Sequence, residues 1–572
     1  MLRGLKMLDM LCVMLVCMAC AKAHTEERYL AAERPVVVLY GVDGDRNFYV
    51  ADSLPRQTEV RVNTDMCIRR DDAEYLPVLV GDSVLYVLEG NTAQTPDECV
   101  LERRIWVRTP ASVIDDTLTS HICGLADKGD SYEVVGYDGL DDMGHVNRYK
   151  IHYGDSIEGY IFAKYCVFSE TEALQRYRPL WQDSVHARVR NAFGGGEAVG
   201  CDFYPVEKPV FAGNEMPLSC YALYLNISPA VIGKIDSFIF LARQTKINTF
   251  VIDIKDNECP GYKADAMKRY SPTNYKWGGA NKEQMYRYAL GRLHEEGFYV
   301  VGRITCFKDS YFVKDNPSCA VTDKTTGQPF YHNHANWPSA YDRRVWQFNV
   351  ELAKEAVRKF GFNEINFDYV RFPDRMTGIE SQVDYHNQFG ESKVQAIQRF
   401  VQYACDELHQ LGVYVSVDVF GESANRGYTT PYGQYWPALS NVADVMCGMP
   451  YPDHFAAGYG GIDKPWNNPY ATLSVWAKSV QGRQSETPSP ARVRTWIQAY
   501  HVMHYVDPEG IDYDAANVEK EIRALFDAGL TGGYTTWLSS SSLERYAKLK
   551  KAFSIDYLNE SELRQKDENL PR

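Results

Sequence analysis

The chain has 572 residues, 45% of them hydrophobic and 24% charged, with a formal net charge of −14. That length favours several domains, and the composition is that of a globular protein rather than a disordered or fibrous one. The acidic balance argues against nucleic acid or an anionic membrane surface as the main partner.

Residues 1–23 open with Arg3 and Lys6 ahead of an apolar run that starts at Met7 and is interrupted by Asp9. The run is too short and too poorly flanked for a transmembrane helix, and it predicts an export signal. Ala19, Ala21 and Ala23 suit ordinary signal-peptidase cleavage. "VCMAC" before Ala21 is also a loose lipobox, in spite of the bulky Met18, and would make Cys20 a lipidated first residue. The expectation is an exported protein, either periplasmic or a cell-envelope or outer-membrane lipoprotein attached to the membrane through Cys20. The eleven cysteines beyond the signal show no CxxC or metal-type spacing, and Cys67 with Cys99 is a candidate disulfide.

Between residues 30 and 170 short β-like runs such as "PVVVLYGV", "SVLYVLEG", "RRIWVRT" and "GYIFAKYCVF" alternate with turn residues, and long amphipathic helices are missing. This region reads as all-β. Residues 116–170 resemble a bacterial SH3-like domain through Gly129, Val134, Lys150 and the Gly159–Tyr160 pair, and 30–115 reads as a divergent copy. Residues 171–214, with "FGGGEAVG", read as a linker.

From Cys220 the pattern changes. Apolar strands near residues 222, 251, 302, 367, 417, 447, 497 and 535 alternate with helical stretches such as "RRVWQFNVELAKEAVRKF". Eight β/α units over 215–556 predict an α/β fold of the (β/α)8 TIM-barrel type, followed by a polar tail at 557–572. A doubly wound open sheet is the alternative, but no Gly-rich phosphate loop follows any strand.

In such a barrel, chemistry sits at the C-terminal strand ends, on side chains that share the inward parity. That parity selects Asp253 and Lys255 in "FVIDIK", Arg303 in "VVGRITCF", and Asn366 and Asp368 in "INFDYV". It selects Ser416 and Asp418 in "VSVDVFG", with Glu422 just beyond, then Trp496, Gln498 and Tyr500 around "TWIQAY", and Trp537 in "YTTWLS". A buried carboxylate is costly unless paired, hydrogen-bonded or used. A structural Asp–Arg brace explains any one of these residues; a ring of them points to chemistry. Carboxylates on neighbouring strands are what glycoside hydrolysis requires: an acid for the leaving oxygen and a base or nucleophile at the anomeric carbon. Asp368, Asp418 and Glu422 are therefore the candidate catalytic residues. Arg303 or Arg371 could keep one carboxylate ionised while apolar neighbours such as Phe420 raise the other. Trp496 and Trp537 offer stacking faces, and Asp253, Asn366, Gln498, Tyr451 and His454 complete the expected substrate-binding set. His332 and His334 have metal-pair spacing without an identifiable third ligand, so neither metal nor cofactor is expected.

Residues 215–555 resemble a bacterial glycosyl-hydrolase-like (β/α)8 family distantly related to the α-amylase clan. The resemblance rests on "INTFVIDIKD", "VVGRITCFKD", "GFNEINFDYVRFP", "VSVDVFGE", "MPYPDHF" and "TWIQAY", in this order. Asn363 stands where the family usually has Asp, and Asn366 where Gln is common. The resemblance implies Asp368 as nucleophile or stabiliser, an acid/base that is Asp418 or Glu422, and a poly- or oligosaccharide substrate. The rival readings are a carbohydrate-binding or envelope protein on a glycosidase-like barrel, and a metal-dependent carbohydrate deacetylase.

Overall fold

The computed structural model describes residues 25–154, 157–175, 198, 200–278, 280–425 and 427–557. The expected export signal with Cys20, most of the expected linker and all of the expected polar tail but Tyr557 lie outside the described residues. The chain divides into two compact units, residues 1–175 and 176–572. Among the described residues no helix is long and apolar enough to cross a membrane.

The first unit is all antiparallel β. One sheet uses strands between Thr25 and Ala93, and a second runs from Arg104 to Val167. Alternating residues supply a separate apolar core under each sheet, Leu39, Val62, Leu76 and Val78 in the first and Ile105, Val113, Ile151 and Ile161 in the second. The second sheet begins earlier than the 116–170 boundary read from sequence. Strands Arg104–Val107 and Ala111–Ile114 pair with Ser131–Leu140 and Ile122–Ala126, not with the preceding sheet. Gly159 is forced by packing, since a Cβ there would sit 2.5 Å from a methyl of Val113. Cys67 and Cys99 are free thiols, one exposed and one buried, so the candidate disulfide is not formed.

The second unit is a nearly closed barrel of nine parallel strands. They are β1 (Cys220–Leu225), β2 (Thr249–Asp256), β3 (Tyr299–Thr305), β4 (Glu364–Asp368), β5 (Tyr414–Phe420), β6 (Val445–Met449), β7 (Arg492–Val493), β8 (Thr495–Gln498) and β9 (Gly533–Trp537). The ring runs in chain order from β1 to β7, and β8 pairs with β9, which pairs with β1. Only Arg494 separates β7 from β8, and its N–H still donates to the Met446 carbonyl at 3.0 Å. Every sequence-predicted strand position falls inside one of these strands.

Local signals fix the helix–strand joints that matter for the site. Helix Arg343–Phe360 starts at Asp342, whose side chain accepts the Arg344 N–H, and stops at Gly361 with φ 73°. The chain then enters β4 and ends it on Asp368. Helix Lys393–His409 starts in a capping box between Ser392 and Gln395 and leads into β5 and Asp418.

Residues 198 and 200–214, expected as linker, belong to this unit. Ala198, Cys201 and Phe203 join a cluster with Val394, Tyr435 and Ala438. Lys208 Nζ donates to the carbonyls of Ser440, Asn441 and Ala443 at 2.6–3.1 Å.

Candidate active site

A cleft of about 240 Å³ opens at the C-terminal ends of the barrel strands. Asp368, Asp418, Arg303, Trp496 and Trp537 line it, as their parity predicted, and so do Arg371, Tyr451 and His454 from the expected substrate-binding set. The β4–β5 register pairs Asn366 with Ser416 and Phe367 with Val417, so one further step sets Asp368 beside Asp418.

Arg303 is the hub. Its Nη1 donates to Asp253 Oδ1 at 2.6 Å and to Asp256 Oδ1 at 3.2 Å, and its Nη2 donates to Asp368 Oδ2 at 2.5 Å. Its Nε lies 3.8 Å from Asp418 Oδ2. One guanidinium cannot neutralise four carboxylates in a water-poor site, and two of them keep their protons to higher pH than an ordinary aspartate. Burial pushes Asp418 well above the ordinary aspartate value, and the Asp368 charge adds to this, against opposition from Arg303, Asn366 and Trp496. Burial likewise raises Asp253 to about 7, with the Arg303 charge pulling the other way.

The two central aspartates differ in what they accept. Asp418 Oδ1 takes the Asn366 amide N–H at 2.9 Å and the Trp496 indole N–H at 2.7 Å, while Oδ2 is buried without a partner. Asp368 accepts from Arg303 and, at 2.6 Å, from the N–H of Tyr369. Tyr369 has φ 51°, a backbone region that non-glycine residues seldom occupy, and its N–H turns back onto the carboxylate from there.

Several expected residues play a different part. Asp253 is fully buried behind Arg303, where Tyr224 Oη donates to it at 2.5 Å, and it does not line the cleft. Beyond it, a register shift between Asp253 and Lys255 reverses the parity of the rest of β2. Lys255, expected inward, points out of the barrel to Asp309 at 2.9 Å, and Asp256 turns into the cleft in its place. Asn366 lies beneath the cleft and positions Asp418, with a second bond to Ser416 Oγ at 3.1 Å. Trp496 reaches the cleft as a hydrogen-bond donor set edge-on to Trp537, 5.7 Å between centroids at 84°. Gln498 is sealed beneath residues 452–454, where its Oε1 accepts the Asp453 N–H at 3.4 Å. Glu422 accepts from Tyr432 Oη and is not among the cleft-lining residues.

Arg371 lines the cleft with its charge matched by Asp374 at 2.9 Å and its guanidinium 4.7–5.0 Å from the rings of Trp337, Tyr369 and Phe420. Sequence reasoning missed Asp256, Asn257 and Tyr369, because the bulge and the strained turn that place them leave no periodic trace, and it missed Met449, which ends β6 at the inward parity of Val445 and Cys447.

His332 bonds the Asp374 backbone carbonyl at 2.7 Å, so the candidate histidine pair is part of a loop brace. Among the described residues, one group has metal-ligand chemistry, Cys405, His409 and Asp444. It lies at the opposite, N-terminal end of β5 and β6, and His409 Nε2 contacts Asp444 Oδ2 there at 2.8 Å.

Residues 222–543, more than half of the chain, match the family described as "putative glycosyl hydrolase domain". The chain belongs to this family. No match is found among curated proteins. Among solved structures, a hypothetical protein from Ruminiclostridium thermocellum is 31% identical over 34% of this chain and 97% of its own, with a TM-score of 0.29. The PgaB (BpsB) glycoside hydrolase domain from Bordetella bronchiseptica is 11% identical over 59% of this chain and 99% of its own, with a TM-score of 0.40. The chitobiase of Flavobacterium johnsoniae is 11% identical over 61% and 50%, with a TM-score of 0.39.

Proposed function

We propose that this family member is an exported glycoside hydrolase that cleaves O-glycosidic bonds in a poly- or oligosaccharide with Asp418 as the acid and Asp368 as the nucleophile. The observation that carries the reading is the unequal environment of two neighbouring carboxylates at one cleft. Paired titratable groups whose surroundings push them apart are the mark of an acid and a base.

Asp418, protonated by burial and with Oδ2 free of partners, delivers its proton to the leaving oxygen. Asp368 attacks the anomeric carbon and forms the glycosyl-enzyme ester, and Asp418 then takes a proton from the water that hydrolyses it. Adjacent strands lie about 4.8 Å apart, close to the roughly 5–5.5 Å of retaining carboxylate pairs, so the expected outcome is retention of configuration. Within the same reading, β7 and β8 are one strand interrupted at Arg494, which makes the unit a (β/α)8 barrel. Residues 104–167, the second sheet of the first unit, are an SH3-like module that holds the enzyme near its polymer. Residues 1–23 direct export, with lipidation of Cys20 anchoring the protein at the envelope.

The test is a panel of envelope and dietary glycans offered to the full chain beside Asp368→Asn, with the anomer of the first product read by NMR. Turnover by the wild type alone, with retention, is the expected result. Equal turnover by Asp368→Asn returns that carboxylate to a structural brace.

A further inference from the structure

The wall formed by the ends of β2 and β3 continues outward from the cleft. Asn257 lines the cleft, and its neighbour Glu258 accepts the Ser310 N–H at 3.2 Å. Tyr311 comes next, and its ring stacks on Trp277, 6.4 Å between centroids and 18° between planes. Trp277 ends the helix Pro272–Trp277, which is fixed to the same wall: Thr273 donates to Asp315 at 2.7–2.8 Å, and Asn274 donates to Asp309 at 3.0–3.1 Å. The indole nevertheless stays 56% exposed. Tryptophan is highly buried on average, so a rigidly mounted and open indole is an unusual surface feature. No core beneath it requires the ring, because the helix is held by its polar residues.

We propose that Trp277, backed by Tyr311, is a distal subsite on which a pyranose unit of the bound chain stacks, and that it makes the enzyme prefer long substrates. The inference rests on the glycoside hydrolase reading above. The occupant follows from continuity: the path from Asp256 through Asn257 and Glu258 to Tyr311 presents hydrogen-bonding groups and then a flat apolar ring. This sequence of chemistry suits a sugar chain, whose units carry both an edge of hydroxyls and an apolar face. A polymer that enters the cleft and leaves over this wall meets Trp277 beyond the residues that line the cleft.

The experiment uses full-length protein and labelled oligosaccharides of two, four and six units cut from the polymer that the wild type hydrolyses. Trp277→Ala is expected to leave kcat/KM on the disaccharide unchanged and to lower it roughly tenfold on the hexasaccharide, mostly through KM. Trp277→Phe restores part of the loss. Tyr470→Ala, which removes a 41%-exposed ring from the outer helix Pro469–Gln484, changes neither. An equal effect of Trp277→Ala at every length, or none, overturns the subsite. Affinity electrophoresis through gels cast with each polymer separates this from a failure of the enzymatic reading. Retardation that Asp368→Asn keeps and Trp277→Ala loses supports the subsite even where no turnover is seen. Retardation that Trp277→Ala keeps, or its absence with every polymer, rejects it.

Discussion

Each end of the barrel buries an arginine among acids. At the start of the strands, Arg494 gives Nη1 to Glu364 Oε1 at 2.8 Å and Nη2 to Oε2 at 3.0 Å, and Tyr299 Oη donates to the same carboxylate at 3.1 Å. One positive charge meets one negative charge in a bidentate fork, in the gap between β7 and β8. At the far end, Arg303 meets four aspartates, and Asp418 Oδ2 and Asn366 Oδ1 are buried without a hydrogen bond. The first arrangement matches charge one to one, although Arg494 Nε lacks a hydrogen-bond partner, and it holds the barrel together. The second leaves negative charge in excess and a carboxyl oxygen free, which is a cost that folding alone gives no reason to bear. That difference separates a brace from a site.

The comparison is broken most severely by Asp368→Asn. The change keeps the shape, and Arg303 retains Asp253 and Asp256, so the melting temperature should move little while kcat falls by about 10⁴-fold or more. A large drop in stability with modest loss of rate would make the two ends alike. Next comes Glu364→Gln at the other end, which strands the Arg494 charge in a buried site. A loss of about 3–5 kcal/mol in urea unfolding is expected, with kcat per folded molecule unchanged.

Asp418→Asn comes third, with about a 10²–10⁴-fold loss on substrates with poor leaving groups and little on activated aryl glycosides. Because burial raises Asp418, its acid form persists below that raised value and is lost as pH rises through it. The alkaline limb of the wild-type pH–rate profile therefore belongs to Asp418 and should vanish in this variant. Glu422→Gln should leave both rate and limb in place; if it removes them instead, Glu422 is the acid. The smallest effect is that of Trp496→Phe. The indole N–H lowers the Asp418 value, so its removal should carry the alkaline limb to higher pH and cost only a few-fold in rate. A limb that stays fixed would show that Trp496 serves the substrate and not the acid.

Much of the barrel was legible because its signal is local. Strand alternation and helical periodicity depend on which faces are buried, and a run such as "EINFDYV" carries that information in its own residues. The same parity placed Asp368, Asp418, Arg303 and Trp537 on one cleft. It also held a message left unread: Glu364 shares parity with Asn366 and Asp368, and Arg494 with Trp496, so the brace at the N-terminal end was visible in the same strands.

Some assignments required the neighbours. The register shift in β2 depends on how that strand pairs with β3, and it alone decided that Asp256 enters the cleft while Lys255 leaves it. Trp496 looked like a stacking face until its indole N–H was seen on Asp418, and Gln498 looked like a ligand for sugar until residues 452–454 covered it.

By itself, the sequence determined the eight strand positions, the alternation of strands with helices and the inward parity of Asp368 and Asp418, because burial imposes its period on the residues one by one. Only the tertiary structure decided which of those carboxylates is paired, which keeps an oxygen without a hydrogen bond and which ring donates a hydrogen bond, because charge and hydrogen bonding are settled between residues far apart in the chain.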